Sequence, residues 1–157
     1  MDIAASAQEI IRLALGEDLG AEGDITTEAT CPAGAKGRAT IVSRGACRVA
    51  GGPVAARVFE LAGEGAAYRA LLPDGATSKP GQAIGRVDGE LATILSGERT
   101  ALNFLGRMCG VATLTSRLVD VARPHGVLIL DTRKTGPGMR ALDKYAVAMG
   151  GGTNHRE

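Results

Sequence analysis

The segment Val127-Leu-Ile-Leu130, followed directly by Asp131-Thr-Arg-Lys-Thr135, decides the fold of this chain. Its apolar and partly β-branched run is typical of a buried strand. A helical pattern follows over residues 139–149, and a triple glycine then leads into Asn154-His-Arg156. A strand, a helix and a turn that returns the chain to the same edge form a β/α unit. The sequence therefore predicts the beginning of a parallel β/α arrangement in its last quarter.

Cationic side chains stand at matching places in this pattern. Arg133 and Lys134 follow the predicted strand, and His155 and Arg156 follow the triple glycine. In β/α barrels, reactive side chains gather where strands end and loops begin. Any one of these residues is more often a solvated loop cation or a structural residue, but their pairing favours an anion site. Because each arginine can hold a carboxylate or phosphate through two hydrogen bonds, we expect a ligand with at least two negative charges.

Composition excludes several classes of protein. The chain has 157 residues, a formal net charge of +1, 3% aromatic residues and no Trp, so neither nucleic-acid nor membrane binding is expected. No apolar run reaches the length of a membrane span. Cys31, Cys47 and Cys109 lack a paired spacing, which predicts reduced thiols and a cytoplasmic location. The two histidines lack metal-ligand spacing, so we expect no metal site within the chain.

Periodicity predicts a mixed α+β layer over residues 1–95. Apolar residues at helical spacing predict a helix over residues 3–15, with Asp2 as its N-cap and Gly16 as its end. Further predicted elements are a strand at 38–42, a short helix at 54–61 and a strand at 83–87.

A long helix is predicted from Ser96, its N-cap, to about residue 122. Gly106 and Gly110 fall inside it, and each costs about 1 kcal/mol relative to Ala. We therefore expect close packing or a break at these glycines, with Thr113 as the point where the helix could restart.

Several motifs together resemble one known family. They are Glu98-Arg-Thr-Ala-Leu-Asn103, Asp131-Thr-Arg-Lys-Thr135 with Pro137-Gly138 and Arg140, Lys144-Tyr-Ala-Val147, and Gly150-Gly-Gly-Thr-Asn-His-Arg156. Glu17-Asp-Leu-Gly20 and Gly23-Asp-Ile-Thr26 also match the family's N-terminal signature. The motifs are long and span nearly the whole chain. This pattern resembles quinolinate phosphoribosyltransferase, also called nicotinate-nucleotide pyrophosphorylase (carboxylating).

The resemblance implies both a fold and a reaction. The expected fold class is α+β / α/β, with an N-terminal α/β sandwich domain over residues 1–112 that includes the first part of the long helix. Residues 113–157 would begin an open β/α barrel, seven-stranded in the family. The implied enzyme transfers phosphoribose from phosphoribosyl pyrophosphate to the ring nitrogen of quinolinate, with Mg²⁺. Loss of carbon dioxide then gives nicotinate mononucleotide, a step of NAD biosynthesis.

The resemblance also implies roles for individual residues. Arg133, His155 and Arg156 would bind the carboxylates of quinolinate, with Thr132 nearby. Lys134 would lie between that site and the phosphoribosyl donor, so that Arg133 and Lys134 are the expected catalytic residues.

Two further expectations concern the assembly and the extent of the chain. Arg99 would reach across the interface of a homodimer into the neighbouring active site. The family's chains are longer, and their later segments carry the Mg²⁺ ligands, so we expect this polypeptide alone to lack full activity. Gly136 and Glu157 depart from the residues that are common at these places in the family.

Alternative interpretations stay open at this point. A molybdenum-transport-associated homologue shares much of the scaffold, and nicotinate phosphoribosyltransferase is a more distant relative. Residues 72–89 resemble the turn-and-strand pattern of lipoyl or biotinyl carrier modules, but without the lysine hairpin tip. The chain could also be a non-catalytic dimerisation piece that contributes Arg99 to a complete partner.

Overall fold

A computed structural model describes residues 2–155 of the chain. Its helices are α1 (Ile3–Leu19), α2 (Ile25–Thr30), α3 (Gly52–Ala62), α4 (Leu91–Ala122) and α5 (Arg140–Met149). Its strands are β1 (Lys36–Val42), β2 (Cys47–Arg48), β3 (Ala66–Ala70), β4 (Thr77–Ser78) and β5 (Ala83–Glu90). A short 3-10 helix, Arg123–His125, follows α4. This is the predicted mixed α/β fold.

The strands form two antiparallel sheets. The larger sheet has the order β1-β5-β3, with Val87 of the central strand facing Ala39 on one side and Tyr68 on the other. The smaller sheet pairs β2 with β4. Burial alternates strictly along β1, as expected for an antiparallel sheet that packs one face on a core.

Helix α1 confirms the predicted N-cap and corrects the predicted end. The Asp2 carboxylate accepts hydrogen bonds from the first free N–H groups, those of Ala4 and Ala5, at 3.0 and 3.2 Å. The helix passes Gly16 and ends before Gly20, which has a positive φ of 61°. Continuing through a glycine costs only about 1 kcal/mol, and the extra turn packs Leu19 against the core.

Helix α4 is longer than predicted and has no break. It begins at Leu91, directly after β5, and the Leu91 N–H donates to the carbonyl of Ala35 at 2.8 Å. Ser96 is therefore not an N-cap, and its hydroxyl donates instead to Asp24 at 3.2 Å. Neither Gly106 nor Gly110 has a neighbour within 4 Å of the position where a Cβ would stand. The expectation of close packing or a break at these glycines was wrong, because they lie on the open side of the helix.

The buried face of α4 carries the core. It packs on α3, the larger sheet and α5. Fully buried side chains from three helices, Phe59, Met108 and Leu142, belong to this core. The buried residues of α4 include Ile94, Ala101, Phe104, Leu105, Met108 and Ala112. One helix therefore organises both the N-terminal and the C-terminal parts of the described chain.

Asp74 ties these two parts together through hydrogen bonds. Its carboxylate accepts from the N–H groups of Gly51 and Gly52 at 2.8 and 3.1 Å, which satisfies free donors at the start of α3. The hydroxyl of Tyr145, on α5, donates to the same carboxylate at 2.8 Å. Burial, this hydrogen bond and the charge of Asp74 raise the pKa of Tyr145, so the phenol remains a donor over the physiological range.

The predicted strand at 127–130 is a single parallel bridge between Leu130 and Thr153. The Thr153 N–H donates to Ile129 at 2.8 Å, and the Asp131 N–H donates to Thr153 at 3.1 Å. The parallel direction expected for a β/α unit is present, but residues 127–130 are not a regular strand. A strand needs a partner along its length, and within residues 2–155 only Thr153 pairs with this segment.

Apolar side chains remain exposed at the end of α4 and in the segment after it. The largest exposed fractions, 72% in each case, belong to Val121 and Leu128. In the part of the chain that the structure describes, no closed barrel forms. No helix within residues 2–155 combines the length and apolar character needed to cross a lipid bilayer.

Two glycines of α4 give opposite predictions for substitution by alanine. A Cβ at Gly97 would stand 2.8 Å from Cδ1 of Phe59 and 3.2 Å from Cβ of Ala62, so Gly97→Ala should lower the free energy of unfolding by about 1–3 kcal/mol. Gly106→Ala meets open space and should raise it by about 0.5–1 kcal/mol. Urea unfolding followed by circular dichroism measures both. Equal effects of the two substitutions would contradict this assignment of the buried face.

Removing the Asp74 carboxylate should destabilise the fold. Asp74→Ala leaves two backbone donors and the Tyr145 hydroxyl without their acceptor, at a cost of about 1–3 kcal/mol. Asp120→Ala is the control, since its side chain is 64% exposed and 4.0 Å from Arg123, and should change stability by less than about 0.5 kcal/mol. Thermal unfolding of the two variants compares them directly. Similar shifts would contradict the role given to Asp74.

Candidate functional site

The parallel bridge brings together the two loops in which the sequence predicted cations. Asp131 directly follows the bridge residue Leu130 and begins the first loop. Its side chain is only 3% exposed. One of its oxygens accepts a hydrogen bond from the His155 N–H at 2.8 Å. The other accepts from the Lys144 ammonium at 2.5 Å. Asp131 therefore links the loop at 131–135 to both α5 and the loop that follows the triple glycine.

Lys144 and Asn154 complete this link. The Lys144 side chain is 12% exposed, and its ammonium also donates to the carbonyl of His155 at 3.2 Å. With its amide oriented to match the surrounding donors and acceptors, Asn154 donates to Asp131 and to the carbonyl of Lys144, each at 2.9 Å. The four residues form a closed set of polar contacts, which is the condition under which a buried ion pair is tolerated.

The charge of Asp131 is stabilised by its partners. Burial alone would raise the pKa of this carboxyl. The hydrogen bonds from Lys144 and from the His155 N–H, together with the charge of Lys144, outweigh the effect of burial. The pKa of Asp131 is therefore lowered, and the group is ionised at neutral pH.

The predicted binding residues of the first loop are exposed beside this link. Thr132, Arg133 and Lys134 all face solvent, and the Lys134 N–H donates to the Thr132 hydroxyl at 3.1 Å, which shapes the turn. Thr132 and Lys134 line a cleft of about 220 Å³ whose other lining residues include Asp131 and Lys144.

The second predicted loop is only partly described. His155 is exposed and is held next to Asp131 through its backbone. Arg156, the other predicted cation of this loop, lies outside the described residues. The structure therefore brings His155 to the loop of Arg133 and Lys134.

Arg99 lies elsewhere in the same chain. Its guanidinium is 74% exposed and pairs with Asp18 at 2.6 Å. The hydrogen bond to Asp18 and the charge of that carboxylate raise the pKa of Arg99. Arg99 lines a separate open cleft of about 610 Å³. Val111, which lines the smaller cleft, lies about 18 Å further along α4 at 1.5 Å per residue, so one chain does not bring Arg99 to the other predicted residues.

Sequence reasoning missed the ion pairs that support the site. Arg107 holds Asp143 in a two-point contact, with Nε to Oδ1 at 3.1 Å and Nη2 to Oδ2 at 2.9 Å. Asp143 lies in the first turn of α5, where a negative charge is favoured by the helix dipole. The contact between Lys144 and Asp131 joins residues 13 positions apart. Lys144 stands in a recognisable motif, but no local pattern predicts its partner.

The arrangement places two cations beside a carboxylate that is already paired. Within residues 2–155, Arg133 and Lys134 form no ion pair with a carboxylate, whereas the nearby Asp131 charge is already engaged by Lys144. Among the described residues, therefore, no carboxylate neutralises either cation. Among the same residues, no cluster of three or more His, Cys, Asp or Glu side chains could hold a metal ion.

Two family models together match most of the chain. The quinolinate phosphoribosyl transferase N-terminal domain matches residues 24–109. The C-terminal domain of the same family matches residues 111–157. The region of the carrier-like pattern lies within the first match, which leaves the carrier interpretation without support.

Curated relatives and solved structures agree with these matches. Nicotinate-nucleotide pyrophosphorylase (carboxylating) of Mycobacterium leprae is 44% identical over 153 residues, covering 96% of this chain and 54% of the relative. The chloroplastic rice protein of the same name is 42% identical over 147 residues, covering 94% of this chain and 39% of the relative. The nicotinate-nucleotide pyrophosphorylase structure from Francisella tularensis superposes with a TM-score of 0.90 at 32% identity, covering 99% of this chain and 56% of that one.

The curated relatives are longer than this chain, and their names distinguish between two of the alternative functions. The chain spans 39% to 54% of the length of the two curated relatives. The names of the relatives favour the pyrophosphorylase over the molybdenum-transport-associated alternative. The matches of both domains show that this chain belongs to the quinolinate phosphoribosyltransferase family.

Proposed function

We propose that this chain supplies the quinolinate-binding part of a decarboxylating quinolinate phosphoribosyltransferase. The observation that carries the proposal is the link from Asp131 to His155 at 2.8 Å, because it holds the two cation-bearing loops side by side. Relatives that match 96% and 99% of this chain are named nicotinate-nucleotide pyrophosphorylase. The proposed reaction joins phosphoribose from phosphoribosyl pyrophosphate to quinolinate, releasing pyrophosphate and carbon dioxide and giving nicotinate mononucleotide.

The proposed acceptor suits the charge of the two loops. Quinolinate carries two adjacent carboxylates, and Arg133 and Arg156 each offer a planar pair of donors. We assign His155 and Thr132 as further hydrogen-bonding partners of the same carboxylates. The exposure of Arg133 and His155 leaves their polar atoms free to meet a ligand. A monocarboxylate would leave one of the arginines without a partner.

Lys134 is assigned to the boundary between acceptor and donor. When the ring nitrogen of quinolinate attacks the anomeric carbon, the bond to pyrophosphate breaks and positive charge builds on the sugar. Fixed cations orient the acceptor and stabilise the departing negative charge, so the expected gain is positional and electrostatic. The product nitrogen is then cationic, and its charge stabilises the carbanion left when the adjacent carboxylate departs as carbon dioxide. A proton from water then adds to that carbon and gives nicotinate mononucleotide. Arg133 and Lys134 are the proposed catalytic residues.

Magnesium belongs to the proposal only as a companion of the donor. The described residues offer no cluster of side chains suited to it. We therefore derive no step through Mg²⁺ and assign its ligands to the part of the family's chains that lies beyond the matched segment.

The proposed architecture follows the family. We assign residues 1–112 to an α/β sandwich domain and residues 113–157 to the start of an open seven-stranded β/α barrel. The parallel bridge between Leu130 and Thr153, with α5 between the two segments, supports such a start. The exposed apolar side chains around Leu128 would then face later barrel elements. A cytoplasmic location is part of the same proposal.

A homodimer would give Arg99 a role in this reaction. Its guanidinium is exposed and far along α4 from the cleft of its own chain, which supports a contribution to the partner's site. Sedimentation analysis should therefore give the mass of two chains at micromolar concentration. A monomer over the whole accessible concentration range would contradict the proposed dimer.

Titration calorimetry with quinolinate tests the binding site. The unmodified chain should bind one quinolinate. Arg133→Ala should raise the dissociation constant about 10- to 100-fold, the effect of losing hydrogen bonds between charged groups. Arg117→Ala is the matched control, since it removes another exposed arginine that does not line the cleft. Nicotinate, which lacks the second carboxylate, should bind more weakly than quinolinate.

Two results would contradict this assignment. One is the absence of quinolinate binding by a chain whose circular dichroism shows it to be folded. The other is an equal loss of affinity in the Arg133 and Arg117 variants, which would point to a general effect of net charge.

A further inference from the structure

We infer that Asp131 and Lys144 are positioning residues that set the separation between the two cation-bearing loops through a buried ion pair with two backbone contacts. The inference rests on the proposed function for its meaning in catalysis, but not for its structural test. It assigns a role to two residues that do not themselves offer a free charge to the ligand.

The geometry of Asp131 limits it to a supporting role. Its side chain is 3% exposed, and its two carboxylate oxygens accept from the Lys144 ammonium and the His155 N–H. Asn154 adds a third donor at 2.9 Å. Since all three partners are internal, little of this carboxylate is left to contact a ligand or to neutralise Arg133.

Lys144 contacts both of the cation-bearing loops. Its ammonium donates to Asp131, at the start of the first loop, and to the carbonyl of His155, in the second loop. The backbone of His155 is therefore held at both its N–H and its carbonyl. Holding one residue through the peptide groups on both sides of its Cα fixes the direction of the backbone as well as its distance, which a single backbone bridge does not do.

The neighbouring backbone bridge provides an internal comparison. The Thr153 N–H donates to the carbonyl of Ile129 at 2.8 Å, and Thr153 meets Asp131 only through backbone, because its carbonyl accepts from the Asp131 N–H at 3.1 Å. Side-chain variants of Asp131 and Lys144 keep both of these backbone hydrogen bonds. If the ion pair positions the second loop, its loss should release His155 more than Thr153. If the pair contributes only to overall stability, both amides should respond together.

Hydrogen exchange measured by NMR separates these outcomes without any ligand. Asp131→Ala removes the acceptor of the His155 N–H and should speed its exchange relative to that of Thr153 by at least about tenfold, the factor expected when a hydrogen bond to a charged group is lost. Lys144→Met removes the ammonium that holds Asp131 and the His155 carbonyl, and it should change the ratio in the same direction. Lys79→Met, which removes a lysine from an exposed turn, should leave the ratio unchanged. An unchanged ratio in both pair variants would overturn the inference, even if they unfold more readily, because the ratio compares two amides in the same molecules.

The ligand experiment is a separate arm. In calorimetry with quinolinate, Lys144→Met should weaken binding at least about tenfold, while Lys79→Met should not change it. If the unmodified chain binds no quinolinate, the proposed function fails and the exchange ratio still decides the positioning role. If it binds and Lys144→Met binds equally well, the positioning role is overturned while the proposed function stands.

Discussion

The rest of the structure depends on the burial of one apolar face along the 32 residues of α4. At 1.5 Å per residue this helix is about 48 Å long, so it reaches from the antiparallel sheets to the loops of the candidate site. It packs on α3 and β5, and it also packs on α5 and on the triple-glycine turn, which lies against Ala112 and Thr115. The loops contribute little apolar area of their own, so their positions follow from what α4 holds in place.

The polar contacts add specificity to this hydrophobic arrangement. Asp74 joins the start of α3 to Tyr145, and Asp131 joins the end of a backbone bridge to Lys144. In both cases one carboxylate receives donors from segments that are distant in sequence. Such contacts contribute modestly to the net free energy of folding, but they are costly to leave incomplete. They therefore select one relative placement of elements that hydrophobic packing alone would tolerate in several.

Local signals predicted much of the fold but could not locate every boundary. The N-cap at Asp2 and the helical apolar spacing after it act over a few residues, and both appear in the structure. Ser96 was misassigned because the start of α4 depends on β5 running into it, with Ala35 taking the place of a capping side chain. The adjacency of the two cation-bearing loops followed from their strand-helix-return pattern. The partner of Lys144 did not, because a tertiary contact across 13 residues leaves no periodic trace. The catalytic and binding roles of Arg99, Arg133, Lys134, His155 and Arg156 stay predictions.

The triple glycine has a consequence that reaches from the helix core to the site. A Cβ at Gly150 would stand 2.5 Å from the carbonyl oxygen of Ala112 and 2.7 Å from Cβ of Thr115, and one at Gly152 would stand 3.0 Å from the methyl of Thr115. These glycines thus let the chain lie directly on the surface of α4. Thr115 is not one of the proposed binding residues. Its side-chain volume nevertheless sets the distance between α4 and the segment that carries His155. The placement of the loop that carries His155 is therefore encoded partly in the size of a buried threonine.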